Sequence, residues 1–132
     1  KRLRGTVRLG VLTDGRSVTQ RGKVAALGLI GRVDEVLVSS ELGSGIEKPD
    51  PRPFMFMAAR LQVCGDRIVY VGDNAAKDFL APNELGWRTI QVRRAGGLYV
   101  ERAAPAMGAA HAVLADLSGV CEQLSFWGWR RS

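Results

Sequence analysis

The chain has 132 residues, the length of one ordinary domain, and 46% of them are hydrophobic while 24% are charged. This balance excludes a disordered chain, and no apolar run reaches the roughly 20 residues that a membrane-spanning helix needs. The net charge of +6 comes with few aromatic residues interleaved among the basic ones, so we expect a basic surface that attracts anionic substrates and no nucleic-acid binding.

Apolar runs and helical periodicities alternate along the chain. The predicted elements, in order, are a strand at 7–13, a helix at 18–29, a strand at 35–40, a helix at 53–63, a strand at 67–72, a helix at 75–85, strands at 89–92 and 112–114, and a helix at 117–124. Such alternation predicts an α/β fold, a three-layer Rossmann-like parallel sheet with helices on both faces. We interpret residues 1–132 as one core domain with a Trp/Arg tail at 125–132.

Local signals support several of these boundaries. Phe54, Met57, Ala58 and Leu61 repeat at helical spacing and mark a buried face. Gly31 and Gly86 are placed as C-caps, and Asp116 is placed as an N-cap.

The two cysteines, Cys64 and Cys121, lie inside apolar patterns and lack zinc-site spacing. We interpret them as buried free thiols in a reducing compartment, and we expect a cytoplasmic protein. The lone His111 lies in an Ala-rich stretch, where a surface or packing role is expected.

Polar side chains follow three of the predicted strands. Thr13 ends the first strand, Lys48 lies in the loop after the second, and Asp73 ends the third, with Asp78 five residues further on. In a parallel sheet these strand ends meet at one edge. Two carboxylates there suit a hard cation such as Mg²⁺, and the ammonium and hydroxyl groups suit phosphoryl chemistry.

Three segments in this order resemble the motifs of the haloacid dehalogenase-like (HAD) hydrolase superfamily. Residues 9–15 read Leu-Gly-Val-Leu-Thr-Asp-Gly and look like the second motif of that superfamily. Residues 48–54 read Lys-Pro-Asp-Pro-Arg-Pro-Phe and are similar to the third. Residues 71–78 read Val-Gly-Asp-Asn-Ala-Ala-Lys-Asp and look like the fourth.

The resemblance implies a Mg²⁺-dependent hydrolase of phosphatase type that acts on a small phosphorylated molecule. It implies that Asp73 and Asp78 are metal residues and that Thr13 and Lys48 are catalytic and bind phosphate. The candidate catalytic set also includes Asp14. The full set of candidate substrate-binding residues is Thr13, Asp14, Gly15, Lys48 and Asn74.

One motif of the superfamily has no counterpart. The resemblance implies a first central strand that ends Asp-x-Asp, whose first Asp is the nucleophile, yet residues 1–12 contain no acidic residue. We therefore expect a core that lacks its first central strand and any cap. The flanking strands would then pair directly, leave exposed edges, or receive a strand from another copy or an N-terminal fragment.

Three functions stay open on the sequence. The chain is part of a HAD phosphatase completed by a nucleophile segment, a short hydrolase with a substitute such as Asp14, or a non-catalytic degenerate core that binds an anion or a partner. For Asp14 the structural alternative is a turn residue with a solvated side chain.

Overall fold

The structure is a computed structural model that describes Leu3 and residues 5–129. It consists of two compact units, one ending at Cys64 and one beginning at Gly65. Both units contain parallel strands and helices, so the predicted α/β class is confirmed. In the part of the chain that the structure describes, no helix is long and apolar enough to cross a bilayer.

The first unit is a parallel strand pair with two helices. Its elements are β1 (Gly10–Thr13), α1 (Ser17–Ala26), β2 (Glu35–Val38) and α2 (Arg52–Leu61). β1 and β2 align from Gly10 opposite Glu35 to Thr13 opposite Val38. Because both strands run the same way, Thr13 and the short 3₁₀ turn after Val38 lie at the same end of the pair.

The apolar stripe of α2 forms the core of this unit. Leu37, Met57 and Leu61 make one buried cluster. Gly10 lies so close to this helix that a Cβ there would stand 2.6 Å from the Sδ atom of Met57. The predicted periodicity of α2 is confirmed, since Phe54 is fully buried as well.

The end of α1 differs from the prediction. The helix stops at Ala26, and Gly28, with a φ of +64°, takes the left-handed position that was assigned to Gly31. Its N–H donates to the carbonyl of Ala25, and the next N–H, from Leu29, donates to the carbonyl of Val24.

The second unit carries a three-stranded parallel sheet in the order β3–β4–β5. Its elements are β3 (Val69–Gly72), α3 (Leu80–Glu84), β4 (Arg88–Val92), β5 (Ala112–Leu114) and α4 (Val120–Phe126). β5 has the predicted bounds, and Asp116 accepts a hydrogen bond from the Ser118 N–H, which confirms its capping role. Gly86 follows α3 with a φ of +79°, as predicted.

The predicted helix at 75–85 begins late, at Leu80. Residues 73–78 form a turn held by the side chains of Asn74 and Asp78, and this turn competes with helical hydrogen bonding. Pro82 is tolerated because it lies in the first turn of the shortened helix, where its missing N–H has no helical partner to lose.

The cysteine prediction is partly wrong. Both thiols are free, but Cys64 is exposed and Cys121 is half-buried. Cys64 lies beyond the end of α2, after Gln62 has turned the chain through a left-handed conformation, and so it is no longer on the buried face of the helix. The tail contributes Phe126 to α4, and the ring of Trp127 lies 5.6 Å from the guanidinium carbon of Arg88; residues 130–132 are outside the described chain.

Among the described residues, β1 has one hydrogen-bonded neighbour, β2, and β3 has one, β4. Each is therefore an edge strand of the sheet in its own unit.

We expect Leu37→Ala to lower the free energy of unfolding by about 2–5 kcal/mol, because it leaves a cavity beneath α2. Val18→Ala, at a position 87% exposed, is the matched control and should change it by less than about 0.5 kcal/mol. Urea denaturation followed by circular dichroism measures both. Equal effects of the two substitutions would contradict the assigned core.

Candidate functional site

A tight turn follows the tip of β3 and is closed by a buried carboxylate. The Oδ2 atom of Asp78 accepts the backbone N–H of Asp73 at 3.1 Å and that of Asn74 at 2.8 Å. The Asp78 residue is only 1% exposed. A buried charge of this kind is retained only with such partners, so Asp78 holds the backbone of the turn in one conformation.

Gly72, the last residue of β3, is required by the same turn. A Cβ at this position would lie 2.5 Å from the Oδ2 atom of Asp78, which is inside any normal contact distance. Glycine is therefore required at position 72 by packing, because it leaves room for the Asp78 carboxylate that orders residues 73 and 74.

Asp73 is placed differently from Asp78. It is exposed, and in the described chain its carboxylate has no hydrogen-bonding or ionic partner. It lines an open cleft of about 430 Å³ at the carboxyl ends of β3 and β4. The turn thus presents one carboxylate to solvent and uses the other to fix its position.

Asn74, a predicted substrate-binding residue, is buried. Its Oδ1 atom accepts the N–H of Ala76 at 3.2 Å, and its carbonyl accepts the N–H groups of Lys77 and Asp78. These bonds are those of a turn-forming residue. Its substrate role stays a prediction.

The tip of β1 is organised by a second carboxylate. The Oδ1 atom of Asp14 accepts the hydroxyl of Ser39 at 2.7 Å and the backbone N–H of Lys48 at 3.2 Å. Asp14 thereby connects the end of β1, the turn after β2 and the loop that carries Lys48. The solvated-turn interpretation of Asp14 is therefore wrong, because its side chain is half-buried and engaged.

Asp14 links the segment that bears Thr13 to the backbone of Lys48. The hydroxyl of Thr13 donates to the Oε1 atom of Gln20 in α1 at 2.8 Å. Lys48 is half-buried and precedes a cis peptide bond to Pro49. Gly15 follows on the same turn, and its carbonyl accepts the hydroxyl of Ser40 at 2.7 Å.

An ion pair ties α1 to the turn after β2. Arg21 contacts both carboxylate oxygens of Glu41, at 2.6 and 3.2 Å, and the hydroxyl of Ser17 donates to Glu41 at 2.6 Å. The hydrogen bonds from Arg21, and then that from Ser17, lower the pKa of Glu41 to about 2. This carboxylate stays charged at neutral pH and keeps the turn that bears Ser39 against α1.

The donor chemistry at the tip of β3 fits Mg²⁺. No group of three or more His, Cys, Asp or Glu side chains clusters in the described part of the chain. Mg²⁺ does not require such a cage, since proteins usually hold it by one or two carboxylates together with waters and phosphate oxygens. An exposed Asp73 on a turn fixed by Asp78 meets that requirement.

The structure gathers the predicted residues into one group in each unit. The first unit brings together Thr13, Asp14, Gly15 and Lys48, and the second brings together Asp73, Asn74 and Asp78. The sequence interpretation missed the contributions of Gln20 and Ser39, whose polar contacts span 7 and 25 residues and leave no local signal.

His111 also has a role that the sequence did not define. Its ring Nδ1 atom accepts the backbone N–H of Thr89 at 3.1 Å, and its backbone N–H donates to the hydroxyl of Thr89 at 3.1 Å. Thr89 in turn donates to Asn83 at 2.8 Å. His111 therefore anchors the entry to β5 against β4, a packing role of the kind expected.

Known proteins resemble this chain in both sequence and fold. The sequence profile of the haloacid dehalogenase-like hydrolases matches residues 1–86, which is more than half of the chain. The chain belongs to this family.

Two relatives illustrate the match. The chain is 40% identical over 87 residues to the glyceraldehyde 3-phosphate phosphatase of Methanopyrus kandleri, which covers 66% of this chain and 36% of that protein. It is 38% identical over 86 residues to the phosphoserine phosphatase of Thermus thermophilus, which covers 65% of this chain and 34% of that protein.

Solved structures agree. A HAD phosphatase from Thermococcus onnurineus superposes with a TM-score of 0.77 at 26% identity, covering 98% of this chain and 55% of that one. A 2-haloacid dehalogenase from Pseudomonas syringae superposes with a TM-score of 0.72 at 32% identity, and the match covers 91% of this chain and 47% of that one. The chain thus spans about a third of the two curated relatives and about half of these two structures.

We expect Gly72→Ala to lower the free energy of unfolding by about 1–3 kcal/mol, because the new methyl group displaces the Asp78 carboxylate. Gly22→Ala in α1 is the control: nothing lies within 4 Å of the position that its Cβ would take, and alanine favours a helix by about 1 kcal/mol over glycine. Thermal and urea denaturation should give opposite signs for the two variants. A stabilising Gly72→Ala would contradict the turn as described.

Proposed function

We propose that the chain carries the magnesium- and phosphate-binding groups of a Mg²⁺-dependent HAD phosphatase for small phosphorylated substrates. The observation that carries this proposal is the turn after β3, in which buried Asp78 fixes the backbone that exposes the Asp73 carboxylate. An exposed, positioned carboxylate at the carboxyl end of a parallel strand is suited to a metal that also contacts a phosphate.

The relatives support phosphate as the target group. Those at 34–40% identity carry names of phosphatases for glyceraldehyde 3-phosphate, phosphoserine and ribulose 1,5-bisphosphate. The likeness to a 2-haloacid dehalogenase makes dehalogenation the second candidate reaction. The pair Asp73 and Asp78 favours the phosphatase, because a metal-binding turn serves the neutralisation of phosphoryl charge.

Each group has a distinct task in this proposal. Asp73 holds the metal, which when bound neutralises phosphoryl oxygens, and Asp78 keeps Asp73 in place. The Thr13 hydroxyl, which donates to Gln20 in this structure, turns its proton to a phosphoryl oxygen. The Lys48 ammonium supplies positive charge to a bound phosphate, so that catalysis draws on preorganised electrostatics.

The proposal does not assign the nucleophile to a residue of this chain. The sequence before Thr13 holds no Asp-x-Asp, and Asp14 is the acidic residue that directly follows Thr13. Because Asp14 accepts hydrogen bonds from Ser39 and from the Lys48 backbone, its contacts favour a positioning role over that of a substitute nucleophile.

Calorimetric titration with MgCl₂ tests the metal assignment. We expect Asp73→Asn to weaken Mg²⁺ binding at least about tenfold, since it removes a charged ligand. Asp66→Asn is the matched control, because Asp66 is an exposed carboxylate ahead of β3, at the opposite end of the strand, and it should leave the affinity unchanged. Equal affinities of wild type and Asp73→Asn would contradict the proposal.

Turnover of p-nitrophenyl phosphate separates the enzyme from the binding-only alternative. Mg²⁺-dependent hydrolysis by the chain that is lost in Asp73→Ala would exclude a degenerate binding module. Magnesium binding without any turnover would favour that alternative instead.

A further inference from the structure

A basic residue, Arg93, follows the tip of the strand next to β3, at the same edge of the sheet as Asp73. β3 and β4 pair in parallel with Gly72 opposite Gln91, so Asp73 and Arg93 each follow the tip of one of two neighbouring strands. Adjacent strands are about 4.8 Å apart and rise about 3.3 Å per residue, which puts the two Cα positions roughly 6 Å from each other. Both residues line the same open cleft.

The backbone of Arg93 is fixed, while its side chain is available. Its N–H donates to the carbonyl of Leu114 at 2.7 Å, which extends the β4–β5 ladder by one residue. Its guanidinium is exposed and makes no hydrogen bond or ion pair with any residue that the structure describes. The fork of five N–H donors is therefore free to receive an anion.

The neighbouring Arg94 is occupied differently. Its positive charge helps to lower the pKa of the Asp116 carboxyl, after the larger effect of the hydrogen bonds from Ser118. Its carbonyl accepts the N–H of Gly97 at 3.0 Å and closes a turn. Arg94 thus balances an acidic group already present, and Arg93 is the better candidate for an added anion.

The cleft has the size and the mixed lining of a small-molecule site. Its volume is about 430 Å³, within the range of ligand pockets. Tyr99, Leu98 and Leu117 line it together with Asp73 and Arg93. Leu98 is 83% exposed, so apolar surface is also available for the carbon skeleton of a ligand.

We propose that Arg93 binds a second anionic group of the substrate, a carboxylate or a second phosphate, while the groups around Asp73 hold the phosphate that is cleaved. The substrate class is then small phosphorylated compounds with two anionic ends separated by a short carbon chain. This inference rests on the proposed function, because the groups around Asp73 would hold the first phosphate in the cleft that Arg93 also lines. Guanidinium and carboxylate or phosphate groups form two parallel hydrogen bonds, which gives the selectivity.

Calorimetry with a matched pair of probes tests this inference. In the presence of MgCl₂, 2-phosphoglycolate and ethyl phosphate differ only in that one carries a carboxylate where the other has a methyl group. We expect the wild-type chain to prefer 2-phosphoglycolate about tenfold, on the strength of one charge-assisted contact. Arg93→Gln should abolish this preference without changing the affinity for ethyl phosphate.

Two further variants make the test selective. Arg67→Gln removes an exposed positive charge ahead of β3, at the other end of the strand, and should keep the preference. Arg93→Lys retains the charge but loses the fork, and should keep only part of the preference. Circular dichroism of each variant verifies that it is folded.

The outcomes separate the subsite from the proposed function. Equal binding of both probes by wild type, or a preference that persists in Arg93→Gln, overturns the role of Arg93 and leaves the phosphatase proposal standing. Binding of 2-phosphoglycolate through Arg93 with no binding of ethyl phosphate overturns the phosphate site at Asp73, and with it both the phosphatase proposal and the two-ended substrate. Failure of 2-phosphoglycolate to bind overturns the anion site.

Discussion

The buried carboxylate of Asp78 is the constraint on which the candidate site depends. It accepts two successive backbone N–H groups after β3, and a charge buried without such partners would be strongly unfavourable. Three features follow from it. The strand must end in Gly72, because a side chain there would collide with the carboxylate. The helix that follows begins only at Leu80. Asp73, held at the head of the turn, is presented to solvent.

The first unit uses the same device at the tip of β1. Asp14 accepts hydrogen bonds from the Ser39 hydroxyl and the Lys48 backbone, and so it connects segments that are far apart in sequence. In both units a carboxylate orders the backbone around a neighbouring candidate residue. For phosphoryl transfer, in which catalysis is mostly positioning and charge neutralisation, such ordering is a requirement of the chemistry. The chain belongs to the HAD-like hydrolases, and the proposed function assigns phosphoryl chemistry to these turns.

Local patterns in the sequence were sufficient for much of the fold. The stripe of α2, the bounds of β5 and the cap at Asp116 are confirmed because each depends on neighbours within a few residues. Thr13, Lys48 and Asp73 were chosen as candidates because each ends or follows a predicted strand, and their roles stay a prediction. The errors have physical causes: side-chain bonds of Asn74 and Asp78 displaced the start of α3, the chain left its helical path before Cys64, and Gly28 ended α1 ahead of Gly31. The contacts of Asp14 and Arg93 depend on residues 21 or more positions away, and no periodicity reports them.

Residue-resolved NMR of the ¹⁵N-labelled chain, titrated with MgCl₂ and inorganic phosphate, tests the central claim most directly. If the turns after β1 and β3 hold metal and phosphate, the amide signals of Asp73 and Asn74 shift with Mg²⁺, and those of Asp14 and Lys48 shift when phosphate is added to the magnesium-loaded chain. Signals at the opposite ends of the strands, such as those of Glu35 and Arg88, stay unchanged. Shifts confined to those opposite ends, or no saturable shift at the two turns, would contradict the account.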